Sequence, residues 1–173
     1  DDIEITTNDP ERSVIRVGVT GTGLDAYPRP TWGNDYVAIE TTGDNPSGPF
    51  RTRSDAQGGF SFVLAPNASY HVSIFDPESG LIAHGYGTTT ASGGFRDVIS
   101  SLVFDASTDS DSDGDGLPDD IEFAIGTSKN KVDTDGDGLR DFVEIQQGLD
   151  PLGGRTLPTG IVATLPLQGP AKA

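Results

Sequence analysis

Two stretches of the chain share one spelling of acidic residues. DSDGDGLPDDIE fills 111–122 and DTDGDGLRDFVE fills 133–144, 22 residues later. Counted from 1 to 12, the first stretch has Asp111, Asp113 and Asp115 at positions 1, 3 and 5, Gly116 at 6, Leu117 at 7, Asp119 at 9 and Glu122 at 12. The second matches it position for position with Asp133, Asp135, Asp137, Gly138, Leu139, Asp141 and Glu144. Short carboxylates in alternation, a glycine at the sharp turn, a backbone carbonyl after it and a closing glutamate make an oxygen cage for a hard cation. Ca²⁺ takes about six to eight oxygens at ~2.3–2.6 Å and suits such a cage. Without a cation the carboxylates repel one another. The expected cofactor is therefore Ca²⁺, at least two ions. Leu117 and Leu139 would contribute backbone carbonyls, Asp119 and Asp141 would act through a water, and Glu122 and Glu144 would each supply two oxygens. A merely solvated acidic linker would not keep the glycine and the closing glutamate in both copies.

The spacing of the loops decides what must position them. Ten residues separate the two loops. Paired EF-hands carry a full helix on each side of each loop and need far more chain between them. Here Asp119–Ile125 and Asp141–Gln147 can each form about two turns of helix before Gly126 and Gly148 stop them. DASTDSDS, at 105–112, is a solvated linker, so no helix enters the first loop. The unit is an EF-hand-like loop, a short helix and a glycine stop, used twice. Ile121, Ile125 and Val143, with Phe123 and Phe142, are expected to pack the two units against each other.

The stretch DSDGDGLPDDIEFAIGTSKNKVDTDGDGLRDFVEIQQGLDP, residues 111–151, resembles the bacterial thrombospondin type 3 repeat. That family shows DxDxDGxxDxxE, a short helix and a Gly-Thr-Asp-Pro-like turn. The turns here are GTSK and GLDP, so the first departs from the pattern at Ser128 and Lys129. The resemblance implies a calcium-stabilised spacer between domains of a secreted or cell-surface protein.

Composition agrees with a local site. Residues 105–150 hold 14 acids and three bases, −11 of the chain's −16. A nucleic-acid face needs clustered Lys and Arg, and the sequence has no such cluster. An anionic membrane surface is disfavoured for the same reason. No apolar run approaches the ~18–20 residues that span a bilayer, which excludes insertion as a helix. The absence of Cys removes disulfides, thiolate metal sites and Cys nucleophiles. The 23 Gly and 12 Pro favour short strands joined by turns over long helices.

The first hundred residues read as those strands. VIRVGVTGTG (14–23), YVAIET (36–41), GLIAHGYG (80–87) and FRDVISSLVFD (95–105) are candidates, as is a short alternating piece, IEIT, near the start. RTRSDAQGGFSFVLAPNASYHVSIFD (51–76) reads as strand, turn, strand, turn, strand. The fold expected is mainly β: an antiparallel Ig-like or prealbumin-like β-sandwich followed by a small calcium-stabilised loop and short-helix module. Its core is expected at Val17, Val19, Val37, Ile39, Phe60, Phe62, Leu64, Tyr70, Val72, Ile74, Ile82, Leu102 and Phe104. The divisions are 1–13 as an edge or the end of a preceding domain, 14–105 as the sandwich, 106–151 as the repeats, and 152–173 as a linker or opening strand of a following domain.

Weaker resemblances extend this. FRTRSDAQGGFSFVLAPNASYHVSIFDPESG is similar to carboxypeptidase-regulatory-like and collagen-adhesin B-type sandwiches, with one extra residue in SDAQGGF. ITTNDPERSVIRVGVTGTG is similar to the closing strands of hydin-type immunoglobulin-like domains. TGIVATLPLQGPAKA looks like the opening strand of an LVIVD-repeat β-propeller. Both ends then read as edges within a long modular protein, and 160–165 as one strand.

Other residues carry less. His71 and His84, the only histidines, lie far apart and read as strand and surface packing in preference to a zinc pair. Asp55 reads as a turn former, and the Asn67-Ala68-Ser69 sequon as a turn. Trp32, with Tyr27 and Tyr36, reads as a cap on the sandwich in preference to a sugar platform. No catalytic constellation is present, so no enzyme activity is expected. The function expected is a calcium-binding structural spacer, extracellular or on a bacterial cell surface, whose partners are the neighbouring domains of its parent chain. The alternatives are a dockerin-like or adhesive module with a protein or carbohydrate ligand, or an accessory domain of an extracellular enzyme. Against a dockerin, Gly126 and Gly148 cut the helices short.

Overall fold

The computed structural model describes the backbone of residues 13–17, and residues 34–43, 46–56, 58–91 and 102–153 with their side chains. These residues form β1 (Ser13–Val17), β2 (Tyr36–Thr42), β3 (Phe50–Arg53), β4 (Phe60–Leu64), β5 (Ser69–Asp76), β6 (Leu81–Thr88), α1 (Asp119–Ile125) and α2 (Asp141–Gln147). The strands pair antiparallel in two sheets, one ordered β3-β2-β5-β6 and one made of β1 and β4. The chain is thus mostly β, with two short helices.

Alternation places the inner core. In β4, Phe60, Phe62 and Leu64 are buried while Ser61 and Val63 are exposed, the period of a strand with one wet face. They pack with Val37 and Ile39 of β2 and with Tyr70, Val72 and Ile74 of β5. Leu102 and Phe104 pack against this cluster from beyond β6. Asp55 closes the corner between β3 and β4 as expected, its Oδ1 accepting the Gly59 N–H at 2.7 Å.

β2 and β5 do not alternate; they are buried on both faces through most of their length. The cause lies in the register. Tyr36 pairs with Phe75, and Phe75 pairs with Ile82. This row crosses three strands on the face opposite the inner core. Leu117, Ile121, Ala124, Ile125 and Ile145 cover it, with Tyr36 and Phe142 at the margin. Ile82, expected in the inner core, belongs to this second cluster. Fully burying a Leu, Ile or Phe side chain contributes about 1.5–3 kcal/mol, so the layer is energetically substantial. The acidic repeats therefore dock on the sheet. The expectation that Ile121, Ile125 and Val143 pack the two units mainly against each other is corrected accordingly: Ile121 and Ile125 meet the sheet.

Polar contacts fix the docking. Arg51 of β3 donates from Nε to the Phe123 carbonyl at 3.0 Å, capping a C-terminal carbonyl of α1 that has no partner within the helix. Its guanidinium also lies 5.6 Å from the centre of the Phe123 ring. The expected linker, 105–112, is mostly exposed but tied at several points. Asp105 forms an isolated bridge with Ile82. Ser107 Oγ donates to Asp120 Oδ1 at 2.7 Å, and the Asp119 N–H donates to the Ser110 carbonyl at 2.7 Å.

The strand expected over 95–105 is not continued at Leu102–Phe104; the bridge at Asp105 is the only ladder contact among its described residues. The IEIT piece, residues 18–23 with Val19, the Val17 side chain, Tyr27 and Trp32, residues 95–101 and the 160–165 strand lie outside the described residues.

Candidate metal centre

Each acidic loop is held by its own carboxylates, and the pattern repeats at the 22-residue offset. Asp111 Oδ1 accepts the Gly114 N–H at 2.8 Å and Oδ2 the Gly116 N–H at 3.0 Å. Asp133 accepts from Gly136 at 2.7 Å and Gly138 at 2.8 Å in the same way. Asp113 and Asp135 each accept from the residue two further on, at 3.1 and 3.0 Å. Asp115 and Asp137 accept the N–H of Leu117 and Leu139, both at 2.7 Å. These bonds need the backbone at position 6 in the left-handed region. Gly116 has φ 109° and Gly138 φ 94°, values that side chains strongly disfavour.

The carboxylates converge. One oxygen from each of Asp111, Asp113 and Asp115 lies within 4.8 Å of the others, and Asp133, Asp135 and Asp137 form the matching group. Behind each group sits the closing glutamate. Glu122 is fully buried and Glu144 nearly so. Among the described residues, three buried carboxylate oxygens have no hydrogen-bond partner: Asp113 Oδ2, Glu122 Oε2 and Glu144 Oε2. All three belong to predicted ligand residues. An uncompensated buried carboxylate is costly; a proton on each glutamate, or a divalent cation shared within each loop, removes that cost. The donor set is all oxygen, as a hard cation requires.

The electrostatics carry the same strain. Burial raises the Glu122 carboxyl to about 8, with Asp113, Asp115, Asp119 and Asp141 adding repulsion. Burial raises Glu144 to about 7, reinforced by Asp135, Asp137, Asp141 and Asp133. Asp115 is also pushed up by burial. Asp119 is lowered, mainly by its bond from the Ser112 hydroxyl, and Asp133 mainly by the Gly138 N–H.

Position 9 has a different job. Asp119 accepts the Ser112 N–H at 2.9 Å and its hydroxyl at 2.8 Å, one on each oxygen. Asp141 takes the Thr134 N–H at 2.8 Å and its hydroxyl at 2.6 Å. Both carboxylates thus brace position 2 of their loop. Sequence reasoning missed Ser112 and Thr134; a hydroxyl residue at position 2 of both copies was the available signal. The departures at Ser128 and Lys129 also have partners. The Ser128 N–H donates to Thr134 Oγ1 at 2.8 Å, and Lys129 Nζ lies 3.4 Å from Asp119 Oδ2.

The helices begin where expected and end at Gly126 and Gly148, both left-handed. Leu117 is buried in the outer cluster, while Leu139 is half-buried. The loops are linked: Asp115 Oδ2 accepts the N–H of Phe142, at the start of α2, at 3.3 Å.

The two histidines, read as far apart and as strand and surface packing, in fact meet. His71 Nε2 and His84 Nδ1 are 3.2 Å apart. Tyr36, considered for a sugar platform, stacks on Phe75 at 6.2 Å between ring centres and carries the Arg53 guanidinium 3.3 Å from its own.

Among the described residues no helix is long and apolar enough to cross a membrane. No curated protein and no solved structure matches the chain. Residues 111–127 and 133–152 match the bacterial TSP3 repeat family, whose repeats are calcium-binding structural modules found in extracellular proteins.

Proposed function

We propose that residues 106–151 bind at least two calcium ions and that the ions brace the repeats against the sheet, making one rigid segment of a secreted or cell-surface multidomain protein. The observation that carries this reading is the set of partnerless buried oxygens on Asp113, Glu122 and Glu144. In the first loop Asp111, Asp113, Asp115, the Leu117 carbonyl and Glu122 would hold the ion. In the second, Asp133, Asp135, Asp137, the Leu139 carbonyl and Glu144 would do so. Asp119 and Asp141 would orient each loop and reach the ion through water. Calcium supplies charge neutralisation and coordination here, not reaction chemistry.

The two sheets that share one apolar cluster support an Ig-like or prealbumin-like sandwich over 14–105. The repeats would act as a second layer on that sandwich as well as a link to the neighbouring domains, which are the partners proposed. No catalytic role is assigned. A dockerin-like role would need open helix faces, and the apolar face of α1 is covered.

Calcium binding to the folded loop alone stabilises it by mass action, about 1.4 kcal/mol per site at ten times Kd. Modules of extracellular type bind at ~10⁻⁴–10⁻³ M. Calorimetric titration of chelator-stripped protein, with Mg²⁺ as control, tests the reading. At least two calcium sites and a rise in Tm are expected. Absence of heat and of stabilisation would overturn it.

A further inference from the structure

The outer face of the sheet carries a second constellation. His71 stands opposite Tyr86, and Ser73 opposite His84, so the histidines are diagonal neighbours on β5 and β6. Besides the 3.2 Å between His71 Nε2 and His84 Nδ1, Ser73 Oγ lies 3.3 Å from the first and 3.1 Å from the second. Two nitrogens each ~2.0–2.1 Å from a tetrahedral zinc ion lie ~3.3 Å apart. The inward atoms already stand at that spacing.

The outward nitrogens explain why the inward ones want a cation. His84 Nε2 is 3.1 Å from Asp120 Oδ2, and His71 Nδ1 is 3.6 Å from Glu40 Oε1. A carboxylate favours the tautomer that offers it an N–H. His84 is then biased to a bare lone pair at the inward Nδ1, and the Glu40 charge 3.6 Å from His71 Nδ1 pulls His71 the same way more weakly; the Ser73 hydroxyl has one hydrogen for the two inward nitrogens. Carboxylates behind the remote nitrogens are also how metal-ligating histidines are oriented and made more basic. Asp120 is itself fixed by the Ser107 hydroxyl at 2.7 Å and by its own neighbour's N–H, that of Ile121, at 2.8 Å. The His71 ring stacks with Tyr86 at 4.6 Å and with Phe123 at 5.9 Å, which limits its rotation. Burial and the nearby His84 lower the affinity of His71 for a proton, which favours the neutral ring a metal needs.

We propose that His71 Nε2 and His84 Nδ1 bind one borderline divalent transition metal of the Zn²⁺ or Cu²⁺ class, with Ser73 Oγ or water completing the shell. Imidazole selects these metals where the oxygen cages select calcium. The side chains are partly open, His84 at 32% and His71 at 16%, which gives the ion a path. Because Asp120 lies on α1 and both histidines lie on the sheet, the metal would latch the helix to its docking face.

The full chain in saturating Ca²⁺ tests this. Zn²⁺ titration should give one site per chain. Affinity should fall at least tenfold in both His71→Asn and His84→Asn, and ~10–100-fold in Asp120→Asn, the range for lost outer-shell partners. The unaltered chain loaded with one Cu²⁺ should show nitrogen hyperfine structure in its electron paramagnetic resonance spectrum. That second measurement needs no variant, so a histidine change that disturbs folding leaves the proposal open to refutation. An all-oxygen copper spectrum or no Zn²⁺ site would overturn it, as would Zn²⁺ binding undiminished in the variants once calorimetry shows the acidic loops filled with calcium. If the acidic loops do not hold calcium, Zn²⁺ binding there would persist in the histidine variants, while the copper nitrogen signal would decide this site by itself.

Discussion

The two repeats share the acidic spelling and most of their loop hydrogen bonds, yet they meet different surroundings. α1 reads DDIEFAI and α2 reads DFVEIQQ. Ile121, Ala124 and Ile125 of α1 are buried in the outer cluster, whereas Val143 is half-buried and Gln146 and Gln147 are exposed at the equivalent positions of α2. The first cage is correspondingly deeper. Asp115 is 5% exposed while its counterpart Asp137 is only half-buried, and Glu122 is raised to about 8 where Glu144 is raised to about 7. Ligand spelling makes a cage; the helix after it decides how much low-dielectric protein surrounds it. The first repeat is a layer of the sheet, and the second rests on the first through Ile145 and the Asp115–Phe142 bond.

The largest expected effect breaks that asymmetry at its base. Ile121→Ala should cost about 2–5 kcal/mol, the range for truncating a buried Ile. Val143→Ala, its equivalent, should cost about 1 kcal/mol or less. Urea denaturation at fixed Ca²⁺ reads both, and equal costs would mean that α1 owes nothing to the sheet.

Much of this was legible beforehand, and the reasons are physical. The clustered aspartates, both helices and their glycine stops follow from short-range spacing, which sequence displays directly. So do the inner faces of β2, β4 and β5, where Val37 and Ile39, Phe60, Phe62 and Leu64, and Tyr70, Val72 and Ile74 alternate. The outer face was hidden because it depends on register. Tyr36, Phe75 and Ile82 form a row only once three strands are paired, and Phe75 alone in its strand is a single apolar residue on a face shared with His71 and Ser73. The histidine pair needs the same pairing. Val143 misled because it shares the period of Ile121 while its helix lacks a following apolar pair.

Next in size is the response to pH, which sharpens the contrast between the closing glutamates. Each carboxyl is raised above its ordinary 4.5. A group raised on folding keeps a proton that the unfolded chain has released, so stability of the calcium-free protein should fall as pH rises from about 4.5 through about 8. Calcium must displace those protons. At pH 7 a carboxyl raised to about 8 is mostly protonated and one raised to about 7 partly so, so loading should release on the order of one proton. Release should vanish near pH 9, with Glu144 losing its share first. Calorimetry in buffers of different ionisation enthalpy counts these protons, and a count near zero at pH 7 would mean that the buried glutamates are already ionised.

The glycine stops give a smaller contrast. A Cβ on Gly126, at φ 106°, would lie 3.1 Å from Arg51 Cδ and 3.4 Å from Leu152 Cδ1, whereas one on Gly148, at φ 67°, meets nothing within 4 Å. Gly126→Ala should cost about 2 kcal/mol and loosen the Arg51 cap, and Gly148→Ala about 1 kcal/mol, because left-handed backbone disfavours any side chain by ~1–2 kcal/mol. Thermal melts in Ca²⁺ compare them, and a larger loss at Gly148 would place the tighter junction at α2.

The smallest contrast lies in the position-2 hydroxyls, and there the order reverses. Ser112 is exposed and braces a half-buried Asp119 that Lys129 also reaches. Thr134 braces Asp141, which is fully buried, and accepts the Ser128 N–H besides. Removing a hydroxyl costs more when the partner left behind cannot turn to water. Thr134→Ser should therefore be nearly silent, Thr134→Ala should cost about 1–1.5 kcal/mol, and Ser112→Ala about 0.5 kcal/mol. The second loop, less covered by the sheet, thus depends more on its own bracing bond. Measured by urea denaturation with and without Ca²⁺, equal costs for the two alanine variants would mean that burial of the position-9 carboxylate does not set the strength of its brace.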